Sequence, residues 1–512
     1  MSHKVRWARA RPLVQWFAFA LFFFLFLSTT YRGKDLISYP VNLFLRFDPL
    51  LLLATLFSTH RVPSFMLPAL ITVAFAFLLG RAFCGWICPL GTLNDLVSSF
   101  NKRRGQGRGG NGYRIKYWVL FFLLASSLFT VQLVGLLDPI SLLIRSLTVA
   151  AEPVWNLLLR GLFDFLYDHG IRAFEPLYRF LQSWILTPRQ PFYHQALFIA
   201  LILAAILLLN LWRRRLWCTH LCPLGALLGL IAAVSPVERK VTEGCNLCGI
   251  CVAECPSGAA STREGVWKKA ECLLCGRCQL LCPQGAIGFG FSRGKGGQKE
   301  RIDLRRREVI GALAGGAIFS SLLLGGRPSR RPGVIRPPGS LPEEEFLRRC
   351  VRCGECMKVC LTGGLQPAFL QAGLEGIWTP VFDFRLGYCQ YSCTLCTQVC
   401  PTGAIRRLTP EEKAKVRIGI AHIDRSRCIP YAQGINCIVC EEHCPTPKKA
   451  ISFVEGEVMT PRGRRRVKLP TVDPSLCIGC GICEYKCPLK DRPAIVVTPL
   501  GESREGPFLL AV

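Results

Sequence analysis

Apolar residues gather unevenly along this chain. In the first 235 residues they form four long blocks, at 13–30, 63–80, 117–137 and 194–212, separated by polar or charged segments. About 20 consecutive apolar residues cross the hydrocarbon of a bilayer as a helix, so each block is expected to be a membrane helix. After residue 235 the apolar runs shorten and are punctuated by glycine, proline and cysteine, the pattern of small loop-rich modules. One longer apolar run, glycine-rich, returns at 309–325.

Charge follows the blocks. Lys4, Arg6, Arg9 and Arg11 precede the first; Lys102, Arg103, Arg104, Arg108, Arg114 and Lys116 lie between the second and third; Arg213, Arg214 and Arg215 follow the fourth. The segment 138–192 carries five basic and five acidic residues. The positive-inside rule therefore expects both ends of the four-helix region inside and 138–192 outside. The net charge of +29 is read as this topology signal. No recognition module accompanies it, so nucleic acid is not an expected partner. The first block is expected to remain as a helix, because no small-residue cleavage site follows it. The apolar stretches of 138–192, at 155–167 and 174–186, are expected to lie in the membrane interface, as an anchor or as the roof of a quinone site.

The membrane half repeats. Arg81-x-x-Cys84-Gly-Trp-Ile-Cys88-Pro89-Leu90-Gly91 matches Arg215-x-x-Cys218-Thr-His-Leu-Cys222-Pro223-Leu224-Gly225, and Asp48-Pro49 matches Asp138-Pro139. Two helical hairpins would bring Cys84, Cys88, Cys218 and Cys222 to one membrane face, where four thiolates suit a cluster; zinc or unligated thiols are the alternatives. Asp48 and Asp138 are candidate proton acceptors near the other face; helix-starting Asp-Pro is the plainer reading.

Twenty-eight cysteines all fall in ligand spacing. Cys245, Cys248, Cys251, Cys255 and Cys272, Cys275, Cys278, Cys282 are two regular C-x₂-C-x₂-C-x₃-C-P runs, the spacing of a two-cluster 4Fe–4S ferredoxin. There the fourth cysteine of each run serves the other cluster, so Cys282 is expected with the first three and Cys255 with the second three. Disulfides are not expected at this spacing in a reducing compartment. Four further runs follow: Cys350, Cys353, Cys356, Cys360 without the trailing proline; Cys389, Cys393, Cys396, Cys400, stretched by one residue; Cys428, Cys437, Cys440, Cys444, with an insertion; and the regular Cys477, Cys480, Cys483, Cys487. Adjacent and nested pairing of these four runs both satisfy the count. The ferredoxin-type runs hold six clusters, and the membrane cysteines bring the upper count to seven.

Between the two cysteine-rich regions, Arg305-Arg306-Arg307 precedes the glycine-rich apolar run, like a twin-arginine export signal. Cluster insertion is coupled to folding, so an exported cluster protein should cross already folded. With no clear cleavage site, the run is expected either as a signal or as a fifth helix. Arg327, Arg330, Arg331 and Arg336 trail it within a Pro/Arg/Gly-rich segment, 327–342, that reads as an extended linker. Arg462, Arg464, Arg465 and Arg466 form a basic run, either a solvated loop or a dock for an acidic redox partner. No haem-attachment, dinucleotide, phosphate-loop or nucleophile motif is present.

With its C-x-x-x-C-P-L-G pairs and two-cluster tail, 1–300 resembles the NapH-type membrane quinol dehydrogenase subunit. The remainder, with its paired arginines and four cluster runs, resembles the NapG/MauM-type periplasmic ferredoxin. The resemblance implies a fusion that passes electrons from menaquinol or ubiquinol to a periplasmic cytochrome c or reductase, as a quinol-dehydrogenase-like component rather than a stand-alone enzyme. It implies a multi-pass inner-membrane protein with a cytoplasmic inner ferredoxin and a periplasmic C-terminal part. The expected architecture is multi-domain: a helical membrane bundle at 1–235, a two-cluster ferredoxin at 236–300, a signal or anchor helix with linker at 301–340, and an α+β four-cluster module at 341–512. Two other readings compete: a polyferredoxin linker fed by a cytosolic donor, with no quinone site, and an iron–sulfur sensor or assembly factor.

Overall fold

The structure is a computed structural model; it describes residues 6–33, 35–37, 39–100, 111–260, 267–291, 304–325, 333–460, 463–489 and 491–505. Lys4, Lys102, Arg103, Arg104, Arg108, Arg327, Arg330, Arg331 and Arg462 lie outside the described residues. The chain divides into two compact units. The first comprises 1–27, 41–146 and 197–325; the second comprises 28–40, 147–196 and 326–512.

In the first unit the sequence repeat is a structural repeat of six helices per copy. Arg6–Ser28, Leu43–Arg46, Pro49–Thr59, Ala69–Leu79, Ala82–Trp86 and Pro89–Ser99 correspond in order to Ile115–Leu128, Val134–Leu137, Pro139–Ser146, Ala196–Trp212, Leu216–His220 and Pro223–Ala233. The repeated Pro residues explain the starts. Pro49, Pro89 and Pro223 are first helical residues, where the missing N–H costs nothing and the fixed φ suits the helix. Asp48 caps its helix, Oδ1 accepting from the backbone N–H of Leu50 at 2.8 Å and of Leu51 at 3.3 Å. The 237–291 part folds as a small ferredoxin, with strand Val237–Val241 antiparallel to Ile287–Phe291 and Arg239 opposite Phe289.

The helix Arg306–Gly325 packs on Ile115–Leu128 through glycine. A Cβ on Gly316 would stand 2.5 Å from the Phe122 carbonyl oxygen, and the Phe122 and Phe319 rings are 5.7 Å apart. Small residues allow such close helix approach in membranes, so the glycine-rich run is a packing surface.

The second unit holds the four-run module, built on short helices and three antiparallel strand pairs: Leu365–Pro367 with Pro380–Phe382, Ile420–Ile423 with Ile495–Thr498, and Ile451–Thr460 with Gly463–Val472. Segment 147–196 is bound into it. Glu152 makes a buried ion pair with Lys358 (2.6 Å), Arg189 donates to the Thr362 carbonyl and the Tyr485 hydroxyl, and His194 meets Asp383. Gln398 likewise donates to the Asp35 carbonyl.

Four expectations change. The block 117–137 is not one helix: it ends at Leu128, and Thr130 turns the chain with φ 67° before Val134–Leu137. Hydropathy does not register such a turn, because the residues around it stay apolar. The segment 138–192 is not simply an outer loop: Pro139–Asp168 is a continuous 30-residue helical stretch, with a π-helical turn at Leu147–Ala151. With Ala8–Ser28 and Arg306–Gly325 it is one of three helices long and apolar enough to cross a membrane. The 333–340 part of the expected linker is extended but buried, with Arg336 paired to Glu343 at 2.5 Å. Arg464, Arg465 and Arg466 stand on a strand instead of a loop, opposite Met459, Val458 and Glu457.

Candidate iron–sulfur centres

The regular runs share a local conformation. Around the second cysteine, the residue before it and the glycine after it are both left-handed: Leu247 and Gly249, Leu274 and Gly276, Arg352 and Gly354, Gly479 and Gly481. Such turns direct consecutive N–H groups into a concavity that can hydrogen-bond sulfur. A side-chain-bearing residue pays about 1 kcal/mol for that hand, which Gly479 avoids. The stretched second run and the interrupted third differ, for Thr394 and Ile438 sit at φ −117° and −113°.

Tertiary packing sorts the cysteines into quartets. A cavity of about 360 Å³ is walled by Cys255, Cys272, Cys275 and Cys278. One of about 340 Å³ is walled by Cys444, Cys477, Cys480 and Cys483, and one of about 400 Å³ by Cys428, Cys437, Cys440 and Cys487. Cys350, Cys353 and Cys356 face Cys400, while Cys389, Cys393 and Cys396 face Cys360. Each outer run thus lends its fourth cysteine to its neighbour, first with second and third with fourth. Cys245, Cys251 and Cys282 are half-buried, Cys248 is exposed, and Arg239 donates to the Cys251 sulfur at 3.4 Å.

All 28 cysteines are free thiols. Among the described residues, no three His, Cys, Asp or Glu side chains are close enough to hold one metal ion. Cages of four thiols beyond the span of one ion, otherwise lined largely by apolar residues, suit a 4Fe–4S cluster and not zinc. Burial pushes the thiols of Cys278, Cys393, Cys440 and Cys480 up to about 12 and that of Cys428 up to about 11. A bare thiol there keeps its proton, so loading with iron must release it.

The membrane cysteines form a further quartet. Cys84, Cys88, Cys218 and Cys222 are buried and face one another. Each Cys-Pro pair opens an 11-residue helix, so free N–H groups of its first turn point at the sulfur; Gly225 N–H donates to Cys222 Sγ at 3.3 Å. The two arginines of the repeat cross over. Arg81 of copy one donates to the Cys218 carbonyl of copy two at 3.4 Å. Arg215 of copy two donates to the Cys84 and Gly91 carbonyls of copy one at 3.0 and 3.1 Å. Arg215 also pairs with Asp95 (2.5 Å), whose carboxyl, despite burial, is held down at about 2 by Arg215 and Arg11. Asn94 donates to Cys218 Sγ at 3.3 Å and is bonded by Asn210. Spacing alone did not single out Asp95, Asn94 or Asn210. A polar Asn inside the apolar block 194–212 was the available signal for Asn210.

Asp48 and Asp138 come together, fully buried and facing each other. One oxygen of each serves a helix start, Asp138 Oδ2 accepting from Ser141 N–H at 2.8 Å. The other oxygens, Asp48 Oδ2 and Asp138 Oδ1, meet no donor. Burial pushes both carboxyls up, so the pair favours holding a proton.

Comparison with known proteins agrees with this chemistry. A family described as a 4Fe-4S binding domain matches 62–106 and 194–241, one segment per copy of the repeat, and another of the same description matches 470–490. The methylamine utilization ferredoxin-type protein MauM of Methylobacillus flagellatus is 38% identical over 37% of this chain and 79% of its own length. The ferredoxin-type protein NapG of Escherichia coli is 38% identical over 38% of this chain and 84% of its own. MauM of Methylorubrum extorquens is 41% identical over 32% of this chain and 73% of its own. No solved structure matches.

Proposed function

The chain belongs to the family of ferredoxin-type NapG and MauM proteins, and on that premise we propose that it carries electrons from a membrane quinol to a periplasmic cytochrome c or reductase. That it is an iron–sulfur electron-transfer protein follows from the family and from its 4Fe-4S binding domains. The quinol, the acceptor and the two-sided topology are the proposal.

The observation that carries it is how the chain sorts its segments. Segments 28–40 and 147–196 follow the first and third apolar helices and fold with the outer four-run module. The opposite ends of those hairpins carry the membrane cysteines and fold with the inner ferredoxin. In an inserted chain this division favours cluster modules on opposite sides of a bilayer, with Arg306–Gly325 retained as a crossing helix. A bound 4Fe–4S cluster supplies a one-electron carrier. The residues do the rest: the quartets orient it, Arg81 and Arg215 balance its charge in the membrane, and the Asp48–Asp138 pair takes up a proton released by quinol. The exposed strand bearing Arg464, Arg465 and Arg466 serves as the acceptor's dock; its Pro470 walls the Cys428, Cys437, Cys440, Cys487 cavity.

The test is anaerobic reduction of the purified, cluster-loaded chain by menaquinol, followed by electron paramagnetic resonance. Cluster signals should appear, and Asp48→Asn with Asp138→Asn should slow their appearance without loss of iron. Clusters that stay oxidised under quinol yet are reduced by dithionite would favour the linker fed by a cytosolic donor. A C-terminal reporter active only in the cytoplasm would end the periplasmic reading.

A further inference from the structure

The two copies of the membrane repeat are not equivalent where the inner ferredoxin meets them, and all the departures concern one loop. Aligned on their cysteines, Gly85-Trp86 of copy one stands where copy two has Thr219-His220. Seven residues after the second cysteine, copy one has Asp95 and copy two has Gly229.

Gly85 is open because the ferredoxin backbone fills its place. A Cβ there would lie 2.5 Å from the Leu273 carbonyl oxygen, between ligands Cys272 and Cys275. Next to it, Trp86 Nε1 donates to the Leu274 carbonyl at 3.0 Å. Ala82, Val237 and Leu274 pack together there against Phe75, Leu79, Trp86, Cys272 and Phe289. At the corresponding place in copy two, Thr219 Oγ1 bonds back to the Arg215 carbonyl and His220 bonds Thr219 and Arg213.

Gly229 makes the second opening. A Cβ there would meet Tyr117 Oη at 2.8 Å and the Ala270 carbonyl at 3.0 Å. In copy one this position supplies Asp95, the carboxylate for Arg215. Copy two has none of its own, and the ferredoxin provides it. Glu271 pairs with Arg81 at 2.8 Å and with Lys116, and accepts from Tyr117 Oη at 2.8 Å. Arg81, Lys116, Tyr117 and Glu271 are all buried. Glu271 is therefore to Arg81 what Asp95 is to Arg215. A buried cation left without its anion costs several kcal/mol, about 3–5 when a buried pair is broken, so the membrane repeat is electrostatically complete only with the ferredoxin loop in place.

We infer that residues 269–275 form a single electron junction between the membrane quartet and the inner ferredoxin. It runs through the Cys84–Cys88 loop of copy one into the quartet of Cys255, Cys272, Cys275 and Cys278, with Gly85 and Gly229 as its positioning residues. Arg215, which bonds the Cys84 carbonyl, also faces Cys275. The quartet of Cys245, Cys248, Cys251 and Cys282, with Cys248 exposed, is then the distal one, open to a soluble partner. The step at the junction moves one electron: one centre is oxidised by one as the other is reduced by one, with no bond made and no proton moved. It holds for either direction of flow and so stands apart from the quinol reading.

The test uses the full cluster-loaded chain with chemical reductant. Gly85→Thr installs the copy-two residue. It should keep its iron and the separate signals of both centres, lose the magnetic coupling between the membrane centre and its ferredoxin neighbour, and slow electron passage between them. Thr219→Val, the matched change in copy two, should leave the coupling in place. Trp86→Phe removes one hydrogen bond without crowding the backbone and should weaken the coupling even if Gly85→Thr fails to take up iron. Full coupling in Trp86→Phe, or coupling lost equally in Thr219→Val, overturns the junction. As a readout on the apoprotein, hydrogen exchange of the 269–275 amides should quicken in Gly229→Ala; unchanged exchange there overturns the role of Gly229.

Discussion

The inner ferredoxin and the outer module use one ligand grammar but treat solvent differently. None of the eight inner cysteines is fully buried and Cys248 is exposed, whereas nine of the sixteen outer ones are buried. The difference comes from what surrounds the runs. The inner pair has one strand pair and a short connection. The outer runs are wrapped by three strand pairs and by segments 28–40 and 147–196, with Arg336, Arg352 and Lys413 buried among them. Solvent exposure is one of the levers on cluster potential, so the same spacing is expected to yield centres of different potential in the two modules.

The sharpest way to break the comparison is at the exchanged cysteines. Cys360→Ala, Cys389→Ala and the double variant should each lose about four iron atoms per chain, because both residues serve one cluster. If the double variant loses about eight, Cys360 serves another cluster and the pairing is nested. A smaller effect concerns the outer wrapping. Lys358→Met strands Glu152 in the interior and should destabilise the outer module by about 3–5 kcal/mol, read as earlier loss of cluster absorbance in denaturant. Adding Glu152→Leu should recover much of that; no recovery would mean that this pair does not hold 147–196 in place. Smallest is the surface. Arg464→Glu with Arg465→Glu should leave iron content unchanged and slow association with an acidic electron acceptor about tenfold at low ionic strength. The deficit should fade with added salt, and its absence would make the strand a solvated edge.

Much of the site is legible residue by residue. The C-x-x-C-G-x-C order states a backbone need, since the left-handed glycines at 249, 276, 354 and 481 are those that follow a second cysteine. The Cys-Pro pairs state a helix start. Elsewhere local pattern misled. Apolar character continued past Leu128 while the helix did not, because Thr130 turns the chain without changing hydropathy. Net neutrality marked 138–192 as an outer loop, yet a helix begins at Pro139. The basic run read as a loop became a strand because it pairs across a ten-residue hairpin.

By itself the sequence determined the ligands, the loops that present three of each four, and the two-fold repeat, all of which lie within a few residues of chain. Tertiary structure alone decided which run receives each fourth cysteine, which arginine crosses to which copy, and that Glu271 replaces a carboxylate missing from copy two. Those choices join residues 33 to 190 positions apart, where no local periodicity reaches. They are fixed by which buried charge and which open glycine can be satisfied together.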